Sequence, residues 1–184
     1  MEKTELATII EECQEGKKES FAYIVKAFQQ QIFRFCYHLL GSTENAKDAS
    51  SEIFMKTFIH LKRFDETQQF SSWLFRIAHN HCISILRKNK REWNFLQSQL
   101  LSARDTDYGS PNHENHYDER LQKDKIDKAL KALPHHYKAP LLLRYQLELS
   151  YAEIAKVIDK PLSSVKVLIF RGKKELRKIL QQEH

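Results

Sequence analysis

Residues 70–91 read FSSWLFRIAHNHCISILRKNKR, a pattern that predicts one long helix with two different faces. On one side, apolar residues recur at helical spacing and predict a packed face: Trp73, Leu74, Ile77, Ala78, Cys82, Ile85 and Leu86. The other side carries cations and an amide: Arg76, His79, Asn80 and Arg87. Such a face suits a phosphate backbone with bases beside it. A solvated polar face on an ordinary core helix explains the pattern equally well.

A second informative segment is 149–180, LSYAEIAKVIDKPLSSVKVLIFRGKKELRKIL. Ser150 followed by Glu153 is a capping-box pattern, which predicts a helix from Tyr151. A stop is expected at residues 159–161, after which Ser163 or Ser164 is expected to cap a second helix. That helix turns an apolar set inward: Val165, Leu168, Ile169 and Leu176. The segment predicts a helix-turn-helix, the alternative being a helical hairpin with a basic exposed side.

The rest of the chain favours an all-α fold, because its 184 residues include only four glycines and four prolines. Further helices are predicted at 4–15, 18–40, 43–62, 118–132 and 134–147. A polar, acidic stretch with linker composition separates two basic halves. We therefore expect two small helical domains, at 1–91 and 121–184, joined by a flexible acidic linker at 92–120. The second domain is the helix-turn-helix.

Charge and cysteine usage narrow the class of partner and the compartment. The net charge of +6 and the pI of about 9.1 favour anionic partners. No apolar run approaches the roughly 18 residues of a membrane span, and the acidic N-terminus does not resemble a signal peptide. The three cysteines, Cys13, Cys36 and Cys82, form no close pair in sequence. They indicate reduced thiols in a cytoplasmic protein.

The sequence contains no arrangement typical of an enzyme or a metal site. His79 and His81 stand on one helix and cannot face each other, and His135 and His136 diverge in the same way. No histidine or cysteine spacing matches a zinc pattern. No phosphate-binding glycine loop or nucleophile elbow occurs either. We therefore expect a binding protein with no catalytic residues, no cofactor and no metal.

Several stretches together resemble a known family: Asn45–Phe58, Phe64-Asp65 with Phe70–Asn80, Arg87–Arg91, Leu133-Pro134 and Leu149–Lys166. Their order and spacing are similar to regions two and four of bacterial RNA polymerase sigma factors. Having these two regions alone in fewer than 200 residues is the layout of the ECF (extracytoplasmic function) subfamily. The resemblance implies a transcription initiation factor that binds core RNA polymerase, directs it to promoters and melts promoter DNA. The polymerase then performs the chemistry.

The resemblance also implies roles for individual residues. The helix at 43–62 is similar to the surface that docks on core polymerase, with these candidates: Asp48, Glu52, Phe54 and Lys56. The helix at 70–91 is similar to the part that captures the unpaired non-template strand of the minus-ten element: Arg76, His79, Asn80, Arg87, Lys88 and Arg91. Asn80 matches the asparagine at the flipped-base site, where an amide both donates and accepts. The minus-thirty-five element is implied for Ser163, Ser164, Lys166, Arg171, Lys173 and Lys174.

The implied partners are core RNA polymerase, promoter DNA as duplex and as single strand, and an anti-sigma factor, with no direct membrane contact. The chain departs from the family pattern at Ser51, His79, Ser84, Val167 and Leu168, which puts its promoter sequence in question. The alternative function is a stand-alone helix-turn-helix repressor that binds duplex operator DNA as a dimer without polymerase. The helix at 70–91 favours the sigma factor, because a repressor has no need to bind single strands.

Overall fold

The computed structural model describes the backbone of residues 3–100 and 119–182, and the side chains of residues 4–91 and 125–182. The helices in these ranges are α1 Lys3–Gln14, α2 Phe21–Leu40, α3 Thr43–His60, α4 Phe70–Leu100, α5 Glu119–Ala132, α6 His135–Tyr145, α7 Tyr151–Ile158 and α8 Leu162–Gln182, with short 3-10 turns at Lys18–Ser20 and Leu61–Arg63. The described residues contain no strand, so the all-α prediction is confirmed. None of these helices is long and apolar enough to cross a membrane.

The turn between α2 and α3 is formed by local chemistry. Gly41 ends α2 with a φ of 75°, a left-handed conformation that glycine adopts without strain, and its N–H donates to the Tyr37 carbonyl. Ser42 then caps α3, because its hydroxyl accepts from the Asn45 N–H at 3.3 Å. These two residues reverse the chain and lay α3 against α2.

Helices α1–α4 form the N-terminal half, whose core lies where α2, α3 and α4 meet. Its largest fully buried side chains are Ile24, Ile32, Phe35, Ile53, Leu61, Leu74 and Phe75. Phe35 meets Phe75 edge to face, with ring centroids 5.4 Å apart. Burying each phenylalanine side chain stabilises the fold by about 1.5–3 kcal/mol. Phe75 lies outside the apolar stripe predicted for this helix.

Helices α5–α8 form the C-terminal half, in which the predicted capping box is present. The Ser150 hydroxyl accepts from the Glu153 N–H at 3.3 Å, and the Glu153 carboxylate accepts from the Ser150 N–H at 2.7 Å. Asp159 ends α7 with a φ of 52°. The cap predicted at Ser163 or Ser164 is wrong: α8 begins at Leu162, because the Pro161 carbonyl already accepts from the Val165 N–H at 3.1 Å.

The two halves lie against each other. Helix α7 packs on α4, while α5 and α6 pack on α2. The Gln146 side chain approaches His38, with Nε2 to Nε2 at 3.2 Å, and Lys131 Nζ lies 5.1 Å from the centre of the Tyr37 ring. Helix α4 continues past Arg91 to Leu100, so the predicted linker at 92–120 begins inside a helix. Most of that linker lies outside the described residues.

Candidate nucleic-acid interface

The orientation of α4 is fixed by its buried side, and this places the predicted DNA-binding residues. Leu74, Ala78 and Cys82 are fully buried at successive turns. Five of the six predicted minus-ten residues are therefore exposed: Arg76, Asn80, Arg87, Lys88 and Arg91. The sixth, His79, is half-buried. The prediction that α4 has one buried face and one exposed face is thus confirmed, and His79 lies at the boundary between them.

His79 points toward the C-terminal half. Burial lowers the pKa of its imidazole, and nearby positive groups, Arg87, His135 and Lys160 among them, lower it further. Its Nδ1 lies 3.4 Å from Oδ1 of Asn80. The neutral imidazole therefore sits in a locally positive environment that also includes the amide predicted to contact a base. Such an environment attracts a nucleic-acid phosphate.

A cavity of about 340 Å³ separates the exposed side of α4 from α7. Trp73 and Arg76 line it from α4, and Glu153, Lys156 and Asp159 line it from α7 and its C-terminal end. Among the described residues, no ion pair joins the charged side chains that line this cavity. Charged groups of both signs therefore face each other across open space. In this arrangement the C-terminal half stands over part of the predicted strand-binding surface.

The three aromatic residues near the start of α4 divide into two kinds. Phe64 and Phe70 are buried, at 7% and 4% exposure, and pack edge to face. Trp73 is half-buried, lies 5.0 Å from Phe64 between ring centroids, and borders the cavity. Phe64 and Phe70 therefore belong to the core. Trp73 alone of the three has a ring surface near the side chains predicted to bind DNA.

Helix α8 presents its predicted residues openly. Ser163, Lys166, Arg171, Lys173 and Lys174 are exposed, and Ser164 is half-buried. Sequence reasoning missed two apolar residues of the same face, Val167 at 46% and Phe170 at 72% exposure. The signal was present, because positions 163, 166, 167 and 170 follow the i, i+3, i+4, i+7 spacing of one helix face.

The position of α8 depends on a close approach to α6. A Cβ added at Gly172 would lie 3.2 Å from Tyr137 Cβ and 3.2 Å from Leu141 Cδ1. Gly172 is buried, and Ile169 and Val165, one and two turns back on α8, are buried too. The glycine therefore lets the two helix backbones approach, and it fixes which face of α8 points outward.

On α3, the predicted polymerase-docking residues do not all share one surface. Asp48 and Glu52 are exposed and Lys56 is half-buried, but Phe54 is only 8% exposed and belongs to the hydrophobic core. Phe54 is therefore corrected to a core residue, because it lies about 240° around the helix from Asp48. Two apolar residues missed from sequence, Met55 at 57% and Ile59 at 62% exposure, continue the line of Asp48 and Glu52.

A buried histidine connects α3, the predicted docking helix, to α4, the predicted DNA-binding helix. Lys56 Nζ lies 2.6 Å from Nδ1 of His81 on α4, and His81 Nε2 lies 3.5 Å from a Glu52 oxygen. Burial, followed by the positive charge of Lys56, lowers the pKa of His81. The neutral ring accepts a hydrogen bond from Lys56 and holds it beside Glu52, 3.6 Å away. The side chains of α3 and α4 are thus coupled.

Nowhere in the described residues do three potential metal ligands cluster.

Two comparisons with sequence families agree with this layout. Residues 24–92 match the family described as Sigma-70 region 2, and residues 123–176 match the family described as Sigma-70, region 4. The first match spans α2, α3 and the basic part of α4, and the second spans the helix-turn-helix. Together these two matches cover more than half of the chain.

Individual relatives show the same similarity over their full length. The chain is 30% identical to the ECF RNA polymerase sigma factor SigW of Bacillus subtilis over 178 residues, which cover 94% of this chain and 95% of that protein. It is 25% identical to the ECF RNA polymerase sigma-E factor of Escherichia coli, covering 91% and 90% of the two chains.

Two solved structures share the fold. One is CnrH in complex with the cytosolic domain of CnrY, with a TM-score of 0.69, 18% identity, and 96% and 97% of the two chains covered. The other is RpoE in complex with the anti-sigma factor NepR from Bartonella quintana, with a TM-score of 0.70, 21% identity, and 90% and 99% covered. With its two region matches and a full-length relative at 30% identity, the chain belongs to the ECF family of RNA polymerase sigma factors.

Proposed function

We propose that this sigma factor binds core RNA polymerase through α3, grips the unpaired minus-ten strand with α4, and reads the duplex minus-thirty-five element with α8. The domains would then be residues 1–91 and 121–184, joined by the linker at 92–120. The observation that carries the proposal is the presence of two cationic helix faces on separate halves, one with an amide among its cations and one on a helix-turn-helix. These two faces suit two different forms of DNA.

The proposed polymerase-docking surface is one stripe of α3. Asp48, Glu52, Met55 and Ile59 stand at i, i+4, i+7 and i+11 and are all exposed. An acidic end followed by an apolar end complements a basic helical partner: the charges favour encounter and the apolar side chains supply the buried area. Lys56 lies at the edge of this stripe, where His81 holds it.

On α4, the proposed roles follow from chemistry and exposure. The Asn80 amide donates and accepts hydrogen bonds, as recognition of a base edge requires. The nearby cations would hold the backbone phosphates of the strand: Arg76, Arg87, Lys88 and Arg91. Trp73 offers an adjacent ring for stacking. Melting is then driven by binding of the unpaired strand, without nucleotide hydrolysis, and the phosphate contacts make the complex salt-sensitive.

On α8, the exposed face combines two kinds of duplex contact. Lys166, Arg171, Lys173 and Lys174 would position the helix on phosphates or reach base edges, and Ser163 and Ser164 lie at the end that enters the major groove. Val167 and Phe170 supply apolar contact of the kind that thymine methyl groups accept. Upstream sites with thymine opposite this pair would therefore be preferred.

Strand binding also requires the two halves to move apart, because α7 stands over part of the α4 surface. The halves meet where α7 packs on α4 and where α5 and α6 pack on α2, and a cavity of about 340 Å³ remains between α4 and α7. Interfaces between the domains of one chain commonly allow relative motion. Binding of α3 to polymerase and of α8 to duplex DNA would together supply the driving force, since the two halves are then held at distant sites.

We further propose that the protein works in the cytoplasm, that catalysis belongs to the polymerase, and that an anti-sigma factor holds the free protein inactive. The solved relatives that share its fold include one complexed with an anti-sigma factor. An apolar cleft of about 480 Å³ between α5, α6 and α8, lined by Ile126, Leu141, Tyr145 and Leu176 among others, offers a surface for an apolar helix of such a partner.

Run-off transcription with purified core polymerase and a library of promoter sequences tests the proposal. We expect specific transcripts only when this protein is added, and tight promoter binding only by the complex with polymerase. A protein that binds duplex DNA tightly as a free dimer, and yields no transcript from any template, would instead be the repressor considered from the sequence.

A further inference from the structure

Two cysteines that are far apart in sequence meet in the core of the N-terminal half. Cys36 on α2 and Cys82 on α4 have their sulfur atoms 3.7 Å apart, and both side chains are fully buried. The sequence separates them by 46 residues. Cys13, the third cysteine, lies on α1 and is not part of this pair. The described structure therefore contains one close thiol pair and one separate thiol.

The surroundings give the two sulfurs different character. Cys82 donates its S–H to Cys36, which lowers the pKa of Cys36 and raises the pKa of Cys82. The Ser50 hydroxyl on α3 also lowers the pKa of Cys36. Burial instead raises the pKa of Cys13. Because the thiolate is the reactive form, Cys36 is the sulfur of the pair that ionises more readily, and Cys82, 3.7 Å away, is placed to resolve it.

We propose that Cys36 and Cys82 are a redox-sensitive pair, which hydrogen peroxide closes into an intramolecular disulfide between α2 and α4, and that closure lowers transcription initiation. Cys36 Sγ attacks one peroxide oxygen, the O–O bond breaks, and hydroxide leaves. Cys36 then carries a sulfenic acid. Cys82 Sγ then attacks the Cys36 sulfur and displaces the sulfenic oxygen as water. The two thiols lose two protons and two electrons, and one peroxide becomes two water molecules.

The effect on initiation follows from distance and packing. A disulfide bond is about 2.05 Å long, so sulfurs now 3.7 Å apart must approach. Because a close-packed interior transmits small displacements instead of absorbing them, neither sulfur atom can move without displacing its neighbours. Helix α4 carries Cys82 on one side and Arg76 and Asn80 on the other. Closure therefore shifts the proposed strand-binding face relative to the docking helix α3.

Peptide mapping tests the chemical step. Trypsin separates the three cysteines into residues 4–17, 35–47 and 77–87. The full-length protein is treated with hydrogen peroxide, its free thiols are alkylated under denaturing conditions, and the digest is analysed by mass spectrometry. We expect 35–47 linked to 77–87, minus two hydrogen atoms, and released by dithiothreitol. The proposal would be overturned if Cys36 and Cys82 still carried free thiols after oxidation. Disulfide bonds formed only with peptide 4–17, which contains Cys13, would also overturn it.

Transcription with matched variants tests the consequence. In the unmodified protein, run-off product should fall severalfold after peroxide treatment and recover with dithiothreitol. Cys13→Ala should behave in the same way, whereas Cys36→Ala and Cys82→Ala should keep their activity. Because alanine leaves a small cavity, Cys82→Val provides a second variant that fills the site without a thiol. The proposal would also be overturned if the disulfide formed without loss of transcript. It would fail equally if peroxide lowered transcription as much in the Cys36 and Cys82 variants as in the unmodified protein.

Discussion

The two helices proposed to bind DNA, α4 and α8, present their outward faces differently. On α8 the face opposite the core is open, and Phe170 at its centre is 72% exposed. On α4 the corresponding face meets α7: Arg76 borders the cavity between the halves and His79 is half-buried. Both faces are cationic, so charge alone does not separate them. What differs is whether the other half of the chain stands in front.

This difference matches the order in which the two DNA substrates become available. A duplex element is present before initiation begins, and its proposed reader, α8, is open. An unpaired strand exists only once the duplex opens, and its proposed reader, α4, is partly covered by α7. Covering a cationic, aromatic surface also limits nonspecific binding to other single strands, which such surfaces bind with little sequence preference. In the proposed mechanism, the compact arrangement would therefore separate the two binding events in time.

The largest expected effect comes from removing the amide on the covered face. Asn80→Ala should reduce open-complex formation about 5- to 150-fold, because a base-edge contact left unmade costs about 1–3 kcal/mol. Permanganate reactivity of unpaired thymines measures opening, and a binding assay measures polymerase affinity. Ser84→Ala, an exposed position one turn further along α4, is the control. Equal loss of opening and of polymerase affinity would show that Asn80 supports the fold or the docking surface instead.

Loosening the contacts between the halves should uncover α4 without changing α8. The double variant Lys131→Ala, Gln146→Ala removes the cation–π contact to Tyr37 and the contact to His38. Each contact contributes about 0.5–1 kcal/mol, so the free protein should bind single-stranded DNA about fivefold more tightly. Fluorescence anisotropy with a mixed-sequence oligonucleotide measures this, and a duplex of equal length serves as the control. If both affinities fall together, lost positive charge outweighs any opening.

Acid should weaken the same interface. Burial lowers the pKa of His38 and of His79 below the ordinary 6.5, so these groups bind protons more readily once the halves separate. The stability of the closed arrangement is therefore fully present above about pH 6.5 and declines as the pH falls below it. The midpoint of thermal unfolding and the radius of gyration, followed from pH 7.5 to 5.5, report the change.

His38→Gln is the matched variant for this pH dependence, since glutamine keeps a polar group opposite Gln146 but does not titrate. It should show a shallower decline than the unmodified protein, with His79 still contributing. An identical decline in both proteins would assign the acid sensitivity to other groups, such as His81 beside Lys56 and Glu52.

Local signals in the sequence predicted much of this fold. The capping box at Ser150, the stop at Gly41 and the two faces of α4 depend on residues within a few positions of each other. Phe54 was misassigned because it lies close in sequence to the exposed Glu52 and Met55, and only its angle around α3 turns it into the core. The exposed apolar residues of α8, Val167 and Phe170, were missed because apolar residues are expected in the core. Only their angle around α8 turns them toward solvent.

Contacts between distant segments could not be predicted in this way. Nothing local indicates that α7 covers part of α4, or that Cys36 and Cys82 meet, because both depend on how whole helices pack. The charge pattern predicted two basic halves and an acidic connector, but it carries no information on whether those halves touch. The residues that regulate access to a site are therefore harder to predict than the residues that form it.

The smallest expected effect concerns Gly172, which fixes the open face of α8. In sequence it looks like a weak point, because glycine costs a helix about 1 kcal/mol relative to alanine. In the structure an added Cβ would meet Tyr137 Cβ at 3.2 Å, an atom held by the backbone of α6. Gly172→Ala should therefore lower stability by about 1 kcal/mol, as crowding outweighs the helix preference.

Thermal unfolding measures this balance, and the midpoint should fall by about 2–4 °C. Gly172→Val should lower it further, whereas Lys174→Ala, on an exposed position of the same helix, should leave it nearly unchanged. A rise in the midpoint with alanine would mean that α8 can move away from α6 at little cost. The open face would then be set by the helix-turn-helix alone, and the contrast between α8 and α4 would depend only on what α7 covers.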